Sequence, residues 1–177
     1  ISVVPVVAIV GRPNVGKSTL FNRLTRSNSY AADQLFATLD TTTRKMFIPA
    51  YGNLVISDTV GFIRKLPTHL IQAFKATLEE TGEADILIHV VDLSSGQWQQ
   101  QQDEVKKLID GFGWGEKPII HVYNKIDQAA FEKQFQVKEF PRVFMSAKTG
   151  EGIEKLKRLM IEAVQALHSE VELYFPK

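Results

Sequence analysis

The amino-acid sequence predicts an α/β fold built on a mostly parallel sheet with helices on both faces. Strand-like runs alternate with helix-like runs along the chain, which is the pattern of a parallel sheet covered by crossover helices. One short, glycine-containing link at residues 50–53 joins two strand-like runs and predicts a hairpin, hence one antiparallel edge strand. The six predicted strands are Val3–Val10, Lys45–Pro49, Leu54–Ser57, Ile86–Asp92, Pro118–Asn124 and Arg142–Met145.

Apolar periodicity places the helices between these strands. They are predicted at Lys17–Arg26, Thr68–Thr81, Gln97–Ile109, a short piece near Gln128–Phe135, and Gly152–Ser169. The last helix carries an apolar stripe that includes Leu156, Met160 and Val164, so we expect that stripe to pack on the sheet. The glutamine run Gln99–Gln102 is expected to form a solvated helix face. His89 and His121 lie in predicted buried strands, where we expect hydrogen-bonded core histidines rather than ligands.

Composition places the chain among ordinary globular domains. Its 177 residues suit one domain, and 44% hydrophobic with 23% charged residues is typical of a soluble protein. A net charge of +1 gives no general signal for nucleic acid or membrane, and no apolar run is long enough to cross a bilayer. The lack of cysteine excludes disulfides and fits a reducing compartment, so we expect a cytoplasmic protein. We also expect a monomer. Because the chain begins without Met, we expect residues 1–177 to be a single domain excised from a longer protein.

A phosphate-binding loop follows the first predicted strand and opens the first predicted helix. Its glycines let several backbone N–H groups point into one concavity, and the helix N-terminus behind it favours negative charge. The lysine can reach β- and γ-phosphates, and the serine hydroxyl can ligate Mg²⁺. The loop and the first helical residues that follow it are Gly11, Arg12, Pro13, Asn14, Val15, Gly16, Lys17, Ser18 and Thr19.

Two further segments are candidates for contact with the γ-phosphate and the metal ion. Asp58-Thr59-Val60-Gly61 ends a predicted strand, where the carboxylate of Asp58 can hold Mg²⁺ through water and the Gly61 N–H can bond the γ-phosphate. The segment Ser27–Thr43 has neither helical nor strand periodicity, and long irregular segments in compact domains are usually functional or mobile. We therefore expect a switch loop there.

The base is predicted to be read by Asn124-Lys125-Ile126-Asp127, which follows a buried strand. A carboxylate at Asp127 matches the two adjacent donors of guanine, N1–H and the 2-amino group, which adenine lacks. The alkyl stem of Lys125 is expected to cover the base plane. Asn124 is expected to tether neighbouring loops, and a contact with the base is the alternative. A fourth motif, Ser146-Ala147-Lys148, is expected to present the Ala147 N–H to guanine O6.

Together, in this order, the motifs resemble the translation-factor class of P-loop GTPases, and two stretches resemble the HflX family in particular. These stretches are residues 36–44, and residues 58–67 with 73–80. The resemblance implies a G domain, GTP hydrolysis with Mg²⁺, and association with the large ribosomal subunit. It implies nucleotide contacts from Phe36, Ala37, Thr38, Leu39 and Asp40, metal contacts from Ser18, Thr38 and Asp58 (through water), and catalytic roles for Lys17, Thr38 and Gly61. Thr41, Thr42 and Thr43 remain alternatives to Thr38.

Phe62 departs from the pattern of Ras-type GTPases, which carry a water-positioning glutamine after Asp-x-x-Gly. A phenylalanine cannot orient water, so we expect slow intrinsic hydrolysis and activation by a partner. Similar loops in some GTPases ligate K⁺ through the asparagine, so Asn14 either binds K⁺ or only shapes the loop. The alternatives are an Obg- or Era-type GTPase of ribosome assembly or tRNA modification, and a non-catalytic guanine-nucleotide-binding module.

Overall fold

The computed structural model describes residues 4–25, 42–58 and 83–174, and within these ranges it contains a six-stranded sheet. The strands are β1 Val6–Gly11, β2 Thr42–Ile48, β3 Gly52–Asp58, β4 Ile86–Asp92, β5 Ile119–Asn124 and β6 Arg142–Phe144. They lie in the sheet in the order β2-β3-β1-β4-β5-β6. The helices are α1 Lys17–Thr25, α2 Trp98–Gly111 and α3 Ile153–Tyr174, with a 3-10 helix at Phe131–Gln136. None of the helices in these ranges has both the length and the apolar character of a membrane span.

One pair of strands is antiparallel and the other pairs are parallel, as the sequence predicts. β2 runs antiparallel to β3 with Phe47 opposite Asn53, and the Tyr51 N–H donates to the Ile48 carbonyl at 2.8 Å to close the hairpin. β1 pairs in parallel with both β3 and β4, β4 pairs with β5, and β5 pairs with β6. The predicted α/β class with a single antiparallel edge strand is therefore confirmed.

The two faces of the sheet are covered by different helices. Val7 and Ile9 face a core shared with α1 and α3, whereas the alternate residues Ala8 and Val10 face a core shared with α2. All four are fully buried, which explains why β1 reads as a continuous apolar run. Each buried valine or isoleucine of this kind contributes about 1.5–3 kcal/mol. This burial fixes β1, and with it the position of the loop that follows.

Element boundaries differ from the predictions by a few residues. β1 begins at Val6, directly after Pro5, which has no N–H to donate to a strand ladder. The short helical piece is a 3-10 helix displaced to Phe131–Gln136, and α3 continues to Tyr174. The predicted helix Thr68–Thr81 lies outside the described residues.

Two expectations about polar side chains were wrong in part, although His89 and His121 are buried in the core as predicted. Gln102 is 5% exposed instead of solvated: its amide oxygen accepts from the Tyr123 hydroxyl, and its amide nitrogen donates to Glu139 Oε1 at 3.0 Å. Both ring nitrogens of His89 are buried without a hydrogen-bond partner among the described residues, as is Nδ1 of His121. Burial lowers the pKa of His89 to about 3, so the ring stays neutral and the missing partners cost less than a buried charge would.

The parallel strands deliver the predicted motifs to one edge of the sheet. β1, β3, β4 and β5 end at Gly11, Asp58, Asp92 and Asn124. Ligands of open α/β sheets bind outside the carboxyl ends of the strands. The candidate site therefore lies at this edge.

Candidate nucleotide-binding site

The phosphate loop is packed too closely for side chains at its two glycines. A Cβ at Gly11 would lie 2.7 Å from the Val90 carbonyl oxygen, and a Cβ at Gly16 would overlap the side-chain amide of Asn124. Gly16 also has φ of 102°, and Asn14 takes the left-handed conformation with φ of 65°. These positions give the loop its tight curl between β1 and α1.

Lys17 is the first residue of α1 and is buried, with 8% of its surface exposed. Its Nζ donates to the Arg12 carbonyl oxygen at 3.3 Å, so the side chain curls back over the loop. Burial lowers the pKa of Lys17, and the nearby charge of Asp58 opposes that shift. A buried ammonium at the start of a helix is suited to an anionic ligand, which would compensate for its lost hydration.

Ser18 and Asp58 place oxygen ligands side by side. The Ser18 hydroxyl donates to Asp58 Oδ2 at 3.4 Å, and Asp58 is buried at the end of β3. Among the described residues, no group of three or more His, Cys, Asp or Glu side chains could hold a metal ion by itself. Mg²⁺ is usually held by one or two protein oxygens together with water and phosphate oxygens, so the Ser18–Asp58 pair fits Mg²⁺.

Asn124 ties three segments together at the end of β5. Its Nδ2 donates to the Val15 carbonyl at 2.8 Å, and its Oδ1 accepts from the Ala147 N–H at 2.8 Å. The expected tether is therefore present in the structure. The Ala147 N–H, which we expected to face the base, is used internally instead. Ala147 is 1% exposed, and a buried N–H requires a partner.

Lys125 reaches from the base-reading motif to the phosphate loop. Its Nζ donates to the Asn14 carbonyl at 2.8 Å and lies 3.4 Å from Asp92 Oδ2. Lys125 has φ of 68°, a conformation that is costly for a lysine and that these contacts offset. Asp92 was missed by the sequence analysis. Its position at the carboxyl end of a buried strand, beside the motif strand β5, was the available signal.

Asp127 is exposed beside the Ser146 hydroxyl. The hydrogen bond from Ser146 lowers the pKa of Asp127, which favours the ionised carboxylate that a pair of donors on a base would need. Ser146 is fully buried, and its Oγ also accepts from the Thr149 N–H at 3.1 Å. The structure thus brings the third and fourth motifs into contact.

The switch residues predicted from sequence lie outside the described residues. They are Phe36, Ala37, Thr38, Leu39, Asp40, Thr59, Val60, Gly61 and Phe62, together with the alternative Thr41. Thr43, another alternative, lies in β2 opposite Ser57 of β3. Thr42 is the first residue of the same strand.

The family model of the "50S ribosome-binding GTPase" matches residues 6–125, about two thirds of the chain. The chain belongs to this family. Within it, the chain is a G domain of the HflX type. It is 50% identical over 158 residues to GTPase HflX of Lacrimispora saccharolytica, covering 89% of this chain and 37% of that protein. It is 44% identical over 177 residues to GTPase HflX of Escherichia coli, covering 98% of this chain and 42% of that protein.

Solved structures of GTP-binding proteins share the fold. A GTP-binding protein from Sulfolobus solfataricus in complex with GDP superposes with a TM-score of 0.73 at 26% identity, over 92% of this chain and 53% of that chain. An Era variant of Aquifex aeolicus bound to GDP and AlF4⁻ gives a TM-score of 0.72 at 27% identity, over 90% of this chain and 56% of that chain. The chain spans about two fifths of the length of the HflX relatives it matches.

Proposed function

We propose that this chain binds GTP with Mg²⁺ and hydrolyses it to GDP and phosphate as a molecular switch. The observation that carries the proposal is the link between base-reading and phosphate-binding motifs. Asn124 is bonded to Val15, and the same strand end continues to Asp127. A site that joins a guanine-matching carboxylate to a phosphate loop is suited to a guanine nucleotide and to few other ligands.

On the phosphate side, the loop amides, Lys17 and the N-terminus of α1 would bind the β- and γ-phosphates and stabilise the charge that develops during transfer. Ser18 and Asp58 would hold Mg²⁺, Asp58 through water, and the ion would supply charge neutralisation between the two phosphates. Thr38 and Gly61 are proposed as the switch contacts that relax when the γ-phosphate is lost.

On the base side, Asp127 would accept hydrogen bonds from guanine N1–H and the 2-amino group. Adenine would leave that carboxylate unpaired, and sites of this kind reject the mismatched ligand by about 10⁴-fold. Lys125 would lie over the base plane, with its ammonium anchored on Asn14 as it is here. The Ser146 hydroxyl would keep Asp127 ionised.

Intrinsic hydrolysis is proposed to be slow, because Phe62 replaces the glutamine that positions water in Ras-type GTPases. The large ribosomal subunit is the proposed activating partner, since the matching family is described as 50S ribosome-binding. An activating partner supplies about 10³- to 10⁵-fold in other GTPases. This role concerns the whole protein, which we expect to act as a cytoplasmic monomer.

A role for K⁺ is proposed as well. Asn14 is exposed at the rim of the phosphate loop in a left-handed conformation. An amide oxygen at that place can ligate a monovalent cation beside the phosphates. Hydrolysis should then be faster in K⁺ than in Na⁺, and Asn14→Ala should remove the difference. Equal rates in the two salts would leave Asn14 with a structural role only.

The test combines calorimetry with hydrolysis. We expect tight binding of GDP, little binding of ADP, and a slow release of phosphate that increases when 50S subunits are added. Equal affinity for GDP and ADP would refute the assignment of the base-reading site. Binding of GTP without hydrolysis in a single-turnover experiment, with and without subunits, would indicate the non-catalytic module instead.

A further inference from the structure

One arginine of α1 holds the backbone of the fourth motif. Arg23 Nε donates to the Ala147 carbonyl oxygen at 2.6 Å, and Arg23 Nη2 donates to the Lys148 carbonyl oxygen at 2.8 Å. Arg23 lies less than two helical turns after Lys17, on the helix that the phosphate loop opens. The same side chain therefore connects the phosphate-binding helix with the fourth motif, whose Ser146 hydroxyl is hydrogen-bonded to Asp127.

The two acceptors are carbonyls of consecutive residues, and an arginine suits them. Ala147 is 1% exposed, so its carbonyl requires a donor from the protein. A guanidinium offers several N–H groups in a fixed plane, and charge-assisted hydrogen bonds are stronger than neutral ones. A lysine has one ammonium on a flexible stem and cannot present the same planar pair of donors.

The loop is shaped to receive this guanidinium. Gly150 has φ of 92°, and a Cβ there would lie 2.8 Å from Arg23 Nη1. The Gly150 N–H donates to the Ser146 carbonyl at 2.8 Å and closes the loop on itself. Glycine at this position therefore keeps the approach of Arg23 open as well as permitting the turn.

Arg23 and Asn124 bond the two backbone polar groups of the same residue, Ala147. The Ala147 N–H is bonded to Asn124 Oδ1 and its carbonyl to Arg23 Nε. Asn124 is bonded in turn to Val15 of the phosphate loop. Hydrogen bonds therefore link the phosphate loop to Asn124, Asn124 to Ala147, and Ala147 to Arg23. Arg23 lies in α1, the helix that follows the phosphate loop.

We propose that Arg23 is a positioning residue for base recognition, which fixes the Ala147–Lys148 backbone relative to the phosphate loop without touching the nucleotide itself. The inference rests on the proposed function, because it assigns Arg23 to the guanine side of that site. A positioning role predicts a loss that depends on the base. A merely structural role predicts equal losses for every nucleotide.

The test compares GDP with ADP in two variants and a control, each in the full chain. Arg23→Ala should weaken GDP binding about tenfold, the equivalent of one charge-assisted hydrogen bond, and leave the weak ADP affinity unchanged within about twofold. Arg23→Lys should recover part of the GDP affinity, because an ammonium can serve one of the two carbonyls. Arg158→Ala, which removes an exposed arginine from α3, should change neither affinity.

The possible outcomes distinguish a failure of the Arg23 proposal from a failure of the proposed function. Equal losses for GDP and ADP in Arg23→Ala, or unchanged GDP affinity, would overturn the proposal. A wild-type chain that does not prefer GDP would instead refute the proposed function. Should Arg23→Ala fail to fold, Arg23→Lys carries the same comparison. Faster amide hydrogen exchange at residues 146–150 in that variant, with the amides of α1 unchanged, is the result expected.

Discussion

The side-chain nitrogen of Asn124 lies 2.8 Å from the carbonyl oxygen of Val15, so the strand that ends in the base-reading motif is bonded directly to the phosphate loop. The side-chain oxygen of the same residue receives the Ala147 N–H. Asn124 is 3% exposed, and both ends of its amide are therefore satisfied inside the protein. The phosphate loop and the fourth motif are both held to the end of β5 by one side chain that does not need to touch the ligand.

Asn124→Ala should lower the free energy of unfolding by about 2–3 kcal/mol, because it leaves the Val15 carbonyl and the Ala147 N–H buried without partners. Asn124→Asp should be no better, because a carboxylate accepts from Ala147 but faces the Val15 oxygen without a proton to donate. Urea unfolding measures both variants. Asn53→Ala, on the exposed part of β3, is the control and should cost less than about 0.5 kcal/mol. An Asn124→Ala variant as stable as the control would contradict the tether.

Asp127→Asn should change the base preference from guanine to xanthine. The amide offers a donor where the carboxylate offers an acceptor, and xanthine carries a 2-oxo group in place of the 2-amino group. Competition of GDP and xanthosine diphosphate for the same site measures the change. Asp103→Asn, on the exposed face of α2, should leave the preference as it is. Unaltered preference in Asp127→Asn would remove Asp127 from the site.

Lys17→Met should weaken nucleotide binding and at the same time stabilise the fold without nucleotide. The variant loses the ammonium that neutralises the phosphates, so its GTP affinity should fall by about 100-fold or more, judged from the worth of charged hydrogen bonds. The fold without nucleotide should gain stability, because burial disfavours the charged lysine and methionine fills the same space without that cost. Thermal unfolding without nucleotide and with GTP measures both effects. Lys107→Met, at an exposed position of α2, is the control and should change neither the GTP affinity nor the thermal stability. A Lys17→Met variant less stable than the wild type would contradict the expected gain in stability.

Stability should fall as the pH is lowered below about 6.5. The pKa of His89 is depressed to about 3 in the folded protein, so between these values the unfolded chain binds a proton that the folded chain does not. His121 shifts in the same direction through its own burial. Between pH 7.5 and pH 5, His89 alone should cost about 2 kcal/mol. Urea unfolding across this range should show a smaller loss in His89→Leu than in the wild type; equal losses would exclude His89 as the source.

The sheet and the order of its motifs were predictable because both depend on short patterns. Six apolar runs, the hairpin link that contains Gly52 and the curl around Gly16 each carry their own local signal. Contacts between polar side chains that lie far apart in the sequence carry no such local signal. Gln102 reads as one of four surface glutamines, yet it is buried because Tyr123 and Glu139 approach it from β5 and from the segment before β6. Asp92 and Arg23 went unnoticed for the same reason, since their partners lie 33 and 124 residues away.

The phosphate loop and the base-reading motif follow the carboxyl ends of β1 and β5, so the opposite ends of these strands lie away from the candidate site. The loop at residues 112–118, which enters β5, lies at the end of the strands opposite the phosphate loop, and Glu116 in this loop is exposed. A fluorophore or an immobilisation tag attached there would sit a full strand length away from the nucleotide. Such a handle offers single-molecule work a way to hold the domain while its ligand exchanges undisturbed.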